Sequence, residues 1–136
     1  MSAFCWFWRY GTPDVTHSFP YTAQSPTSYN QIHFENMDNV EAEIKEIEQV
    51  NAQADKRTIG QDLFYLLPWF AQPEWLFEPW MEEVMYEYQM SQALSIPLAS
   101  DIYSASAFRL DCYAIITNEI NAIERHNADK HGKSKS

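Results

Sequence analysis

Basic residues are scarce in this sequence. Nine Lys and Arg stand against nineteen Asp and Glu, a formal net charge of −10. Phosphate contacts need a face of clustered Lys and Arg, so direct binding to nucleic acid or to an anionic membrane is disfavoured. Glycine is scarcer still. Three in 136 residues argue against phosphate-cradling loops and against a turn-rich all-β fold. Two cysteines, Cys5 and Cys112, do not make a disulfide framework, and a reduced, cytoplasmic setting is the simpler expectation. Long apolar runs are missing as well. Ala3 to Trp8 follows no basic stretch and is too short for a leader. Leu63 to Ala71 is broken by Pro68 and falls short of the ~20 residues that a membrane span needs.

Familiar chemical constellations are absent too. The sequence has no HExxH, no CxxC and no GxSxG elbow. Its four histidines are His17, His33, His126 and His131. The last two are five residues apart, poor helical spacing for a shared metal, and His17 with His33 would need a hairpin to bring them together. Cys112 reads as a small buried hydrophobe, and Cys5 has only Arg9 nearby to activate its thiol. No catalytic, cofactor or metal site is expected, and the chain does not read as an enzyme.

What the sequence does have is aromatic surface and localised acid. Five Trp, eight Tyr and eight Phe are more than a domain this small easily buries, so some are expected at the surface, among Trp6, Trp8, Trp69 and Trp75. Residues 35–87 hold thirteen acids against Lys45, Lys56 and Arg57, which accounts for the entire net charge.

Periodicity divides the chain into an aromatic arm or hairpin over 1–35, a helical domain over 36–127 and a flexible basic tail over 128–136. In the arm, Phe4, Trp6, Trp8 and Tyr10 alternate with Cys5, Phe7 and Arg9, a strand-like period. Tyr29 to Phe34 is the candidate second strand. A helix is expected from Met37 to Lys56, capped by Asn36, with Met37, Val40, Ile44, Ile47 and either Val50 or Asn51 forming a narrow apolar stripe. Thr58 and Gln61 fit a capping box opening a short helix that ends near Leu67, before Pro68. Residues 68–80 form a stiff elbow with three prolines and three tryptophans.

Pro79 to Leu94 is a helix with Phe77, Trp80, Met81, Val84, Met85 and Tyr88 on one face. Ile96-Pro97 breaks it, and Ser100 or Asp101 caps a last helix running to about Arg125. The wide apolar arc of that helix takes in Phe108, Leu110, Cys112, Tyr113, Ile115, Ile116, Ile120 and Ile123, and implies burial on most sides, either at the centre of the fold or in a homo-oligomer. Arg109 falls within the arc and needs an acid such as Asp62 or Glu87. The fold class is therefore mainly α, a small bundle of about four helices with an N-terminal hairpin or extended arm.

Two functions follow. The first is a non-enzymatic adaptor or assembly factor, of cellular or viral type, that grips another protein, one with a basic surface, through the aromatic elbow and an acidic helical face. The candidate contacts are Trp6, Trp8, Trp69 and Trp75 with Glu41, Glu48, Glu74, Glu78, Glu82, Glu83 and Glu87. The alternative is an acidic mimic of nucleic acid that inhibits a DNA- or RNA-binding enzyme. Carboxylates four residues apart on a helix, as at Glu74, Glu78 and Glu82, lie ~6 Å from one another, near the spacing of successive phosphates.

Overall fold

In the computed structural model, which describes residues 1–54, 56–94 and 107–134, the aromatic start of the chain is a helix, α1 (Ser2–Tyr10), and not a strand or an extended arm. A period of two is informative only when the alternate positions differ in polarity. Here both phases are apolar. Ala3, Phe4, Cys5, Trp6 and Phe7 are all buried, as expected of a helix that is apolar on every side. Gly11 ends it at φ 88, and its N–H donates to the Phe7 carbonyl at 2.8 Å. That positive φ is open to glycine at no steric cost.

The hairpin lies further along, with β1 (Tyr21–Gln24) antiparallel to β2 (Gln31–Phe34) and Tyr21 opposite Phe34. Its connecting loop is anchored by Ser25, fully buried, whose Oγ accepts from the N–H groups of Thr27 and Ser28 at 3.2 and 3.0 Å. A long helix α2 (Met37–Ala54) follows. Its cap is reciprocal. Asn36 Oδ1 accepts from the Asp38 N–H at 2.9 Å, while Asn39 Oδ1 accepts from the N–H groups of Glu35 and Asn36 at 2.9 and 3.3 Å.

Val40 and Ile47 of α2 are buried and Met37 and Ile44 pack beside them. Asn51, not Val50, takes the next inward position. Its amide donates to the Arg57 carbonyl at 2.8 Å and to Asp62 at 2.7 Å, whereas Val50 is exposed.

Thr58 caps α3 (Ile59–Leu66) by accepting from the Gln61 N–H at 3.2 Å. Two single 3-10 turns, Leu67–Trp69 and Pro73–Leu76, then carry the chain through the elbow to α4 (Pro79–Leu94). The prolines set these breaks, because each removes a backbone donor and disfavours helical geometry in the residue before it. Met81, Val84, Met85 and Tyr88 form the buried face of α4. The expected break at Ile96-Pro97 and the cap at Ser100 or Asp101 lie outside the described residues.

The last helix, α5 (Ala107–Ser134), continues well beyond Arg125, so residues 128–134 are helix rather than a separate tail. Only one stripe of α5 faces inward: Cys112, Ile116, Glu119, Ala122 and Ile123 are buried, while Phe108, Leu110 and Ile115 are exposed. The fold is therefore mainly helical with a short hairpin near the N-terminus. Among the described residues it has five α-helices rather than about four, α1 being the addition.

Apolar side chains gather in two clusters, and α1 feeds both. Phe4, Cys5 and Trp6 pack with α4 and α5, whereas Ala3 and Phe7 pack with the hairpin, α2 and the elbow. Phe64 and Phe77 touch both clusters and join them. The central element is thus α1, not α5. No helix among the described residues is long and apolar enough to cross a membrane.

Candidate functional site

One buried acid joins α5 to α1 and α3. Glu119 on α5 is 1% exposed. It accepts from the Trp6 indole N–H of α1 at 2.9 Å, from the Thr58 hydroxyl, and from the Gly60 N–H of α3 at 3.1 Å. A buried carboxylate is tolerable only when such donors replace water. Gly60 marks a close crossing of α3 with α1 and α5. A Cβ there would lie 2.5 Å from Glu119 Cδ and 2.6 Å from the Ser2 carbonyl oxygen.

A second buried acid, Glu43 on α2, accepts from the hydroxyls of Ser25 and Thr27, the latter at 2.9 Å, and ties the hairpin loop to the helix. Neither acid is among the residues expected to be functional. Both were detectable in principle, because Glu43 stands between Val40 and Ile47 on the α2 stripe and Glu119 shares a face with Cys112, Ile116 and Ile123.

Beside this crossing, α1, α2, α3, the elbow and the start of α4 line a groove of about 420 Å3. Its floor is apolar, made by Ala3, Phe4, Ile44, Leu63, Leu76, Phe77 and Met81, and its rim carries Glu41, Lys45 and Glu48 from successive turns of α2. Met1 lines the end of the groove. Burial pulls its α-amino group below the ordinary range, opposed by the negative charges of Glu119 and Glu78 among others.

The expected contact residues divide sharply. Glu41 and Glu48 come together on this rim, and the elbow supplies Leu76 and Phe77 to the floor. Trp6 does not reach the surface. It is fully buried, because its indole N–H is needed by Glu119, and it leaves the set of exposed aromatics. Trp8 is half-buried between Phe4 and Tyr86, with ring centroids 5.5 and 5.3 Å away. Trp75 is half-buried and stacked on Phe19 at 4.9 Å. Trp69 is exposed, at 44%, beside Tyr29 at 66%. Tyr29 has φ 63, a strained conformation for a bulky residue.

Glu74, Glu78 and Glu82 do not form one helical row. Glu74 lies in a 3-10 turn and Glu78 precedes α4, where it accepts from the Trp80 indole N–H. Glu82 and Glu83 are exposed on α4. Glu87 pairs with Arg109 at 2.8 Å across α4 and α5, an ion pair half open to solvent rather than buried.

The cysteines are inert by environment. Both are buried and unpaired. Burial, with the Glu119 charge, pushes the Cys5 thiol up to about 12, and burial raises Cys112 as well. His17 is stacked on Tyr21 at 4.5 Å, and burial lowers its pKa. No group of three His, Cys, Asp or Glu among the described residues is placed to hold a metal. The chain matches no family model, no curated protein and no solved structure.

Proposed function

We propose that the chain works by binding rather than by catalysis, and that it receives a basic amphipathic helix of a partner protein in the groove that α2 forms with α1, α3 and the elbow. One observation carries this reading: an apolar-floored groove of about 420 Å3 whose rim bears Glu41 and Glu48. Helix-in-groove recognition uses such a floor to take side chains at i, i+3, i+4 and i+7. The rim carries two acids to one base, Glu41 and Glu48 with Lys45 between them, and a rim with an excess of one charge favours a partner of the other and speeds the encounter. The surrounding acids of residues 35–87 reinforce that selection. The buried acids Glu43 and Glu119 take no part, since protein donors already occupy them.

The nucleic-acid-mimic alternative is weaker, because Pro79 starts a new helix and separates Glu74 and Glu78 from the α4 row.

The test is titration of a fluorescent Leu/Lys amphipathic peptide against matched charge variants. Glu41→Lys with Glu48→Lys, and separately Ile44→Asp, should each weaken binding by roughly tenfold or more, ~1.4 kcal/mol. Glu82→Lys with Glu83→Lys changes the net charge by the same amount away from the groove and should weaken it far less. Equal loss in both charge pairs would mean that the peptide senses only the overall field, and the groove reading would be wrong.

A further inference from the structure

A second groove lies against α3 from the side of α5, and its chemistry is opposite to that of the rest of the molecule. It measures about 1030 Å3, and Ile59 is the one residue lining both grooves. Lys56 and Arg57 reach it from the α2–α3 connection, and Arg125 and Lys130 from α5. Four of the nine Lys and Arg of the chain therefore face one groove, with Asp129 the single acid among its lining residues. These cations come from segments some seventy residues apart in sequence, brought together by the Glu119 crossing that fixes α3 on α5.

Acids outnumber bases by about two to one, yet Lys56, Arg125 and Lys130 form no ion pair among the described residues. Arg57 has only a distant partner, Asp62 at 3.8 Å, and its guanidinium lies 5.1 Å from the centre of the Tyr65 ring. Converging cations repel one another until an anion enters between them. Arg and Lys are also the side chains that match phosphate oxygens. The amides of Gln61 and Asn118 supply further neutral donors along the groove.

From this we infer that the groove is a binding site for a small molecule carrying several phosphates, held by Lys56, Arg57, Arg125 and Lys130. A polyanionic macromolecule fits less well, because beyond the groove it would meet the field of a chain with net charge −10. A compact oligophosphate places its whole charge inside. The volume is at the upper end of the ~300–1,000 Å3 typical of ligand pockets, room for an organic group beyond the phosphates. This inference stands apart from the helix-docking proposal, since it concerns other residues.

Calorimetric titration of the full chain at low salt with inorganic tripolyphosphate, inorganic phosphate and ATP tests it. Tripolyphosphate should bind with a Kd below ~1 mM and much more tightly than phosphate. Arg125→Gln with Lys130→Gln should weaken it by roughly tenfold or more while the circular dichroism of the free protein stays unchanged and its Tm does not fall. Lys45→Gln, on the rim of the other groove, should leave it as it was. ATP binding more tightly than tripolyphosphate would assign the extra room to a base and sugar; equal affinity would confine recognition to the phosphates. The site is refuted if tripolyphosphate gives no binding at ~1 mM, or if Lys45→Gln weakens it as much as the groove variants do.

Discussion

At the scale of single residues, Gly60 and Glu119 govern the fold. The glycine is needed for space, since an added methyl would meet both the Glu119 side chain and the Ser2 carbonyl at distances real Cβ atoms do not adopt. Neither neighbour yields easily. One is backbone, and the other is held by Trp6, Thr58 and Gly60 itself. Gly60→Ala should therefore destabilise the protein by ~1–3 kcal/mol, the usual cost of overpacking, despite alanine's better helix propensity. Thermal unfolding followed by circular dichroism would show a Tm lower by several degrees. An unchanged or higher Tm would mean that the crossing is looser than these distances imply. The same crossing shows what was legible in the sequence. An acid at a core-facing position of a helix is a readable anomaly, and Glu43 and Glu119 both have that spacing. Their partners are not readable, because Ser25, Thr58 and Trp6 are brought to them only by tertiary packing.

At the scale of elements, legibility followed punctuation. The helices α2, α3 and α4 were marked by Asn36, Thr58 and Pro79 and by apolar stripes contrasting with polar faces, and they form close to where those signals place them. The helices α1 and α5 lacked that contrast. In α1 every position from Ala3 to Trp8 is apolar, so periodicity could not separate helix from strand, and burial by surrounding elements decided the outcome. In α5 the apolar arc was wider than the stripe the fold uses, so the sequence could not say which part faces inward. The groove along α2 was half legible, since Glu41, Ile44 and Glu48 lie on one readable surface whereas its far wall comes from α1, α3 and the elbow. The α2 cap can be tested directly. Asn36→Ala removes the acceptor for the Asp38 N–H and should cost about 1 kcal/mol. Asn36→Asp, which keeps an acceptor at the N-terminus of the helix dipole, should restore most of it. Urea unfolding of the two variants would separate them. Equal loss in both would show that the Asn39 bonds to Glu35 and Asn36 hold the helix start without help from the Asn36 side chain.

At the scale of the whole molecule, charge is divided between faces. Acids crowd α2, the elbow and α4, while four cations gather in the groove between α3 and α5. Little of this charge is neutralised locally. Two ion pairs between formally charged side chains form among the described residues, Arg57 with Asp62 and Arg109 with Glu87, and each has at least one exposed partner. Exposed pairs contribute about 0–1 kcal/mol each, so added salt removes little attraction. It removes more repulsion, both among the acids and among the groove cations, because the Debye length falls from ~30 Å at 0.01 M to ~8 Å at 0.15 M. The Tm should therefore rise between those sodium chloride concentrations and flatten beyond them. Glu82→Lys with Glu83→Lys lightens the acidic face without removing a member of either pair, and it should shrink the rise. Calorimetric melts across the salt series would read both effects. A Tm indifferent to salt in the unaltered chain would show that the acids are too widely spread to strain the fold.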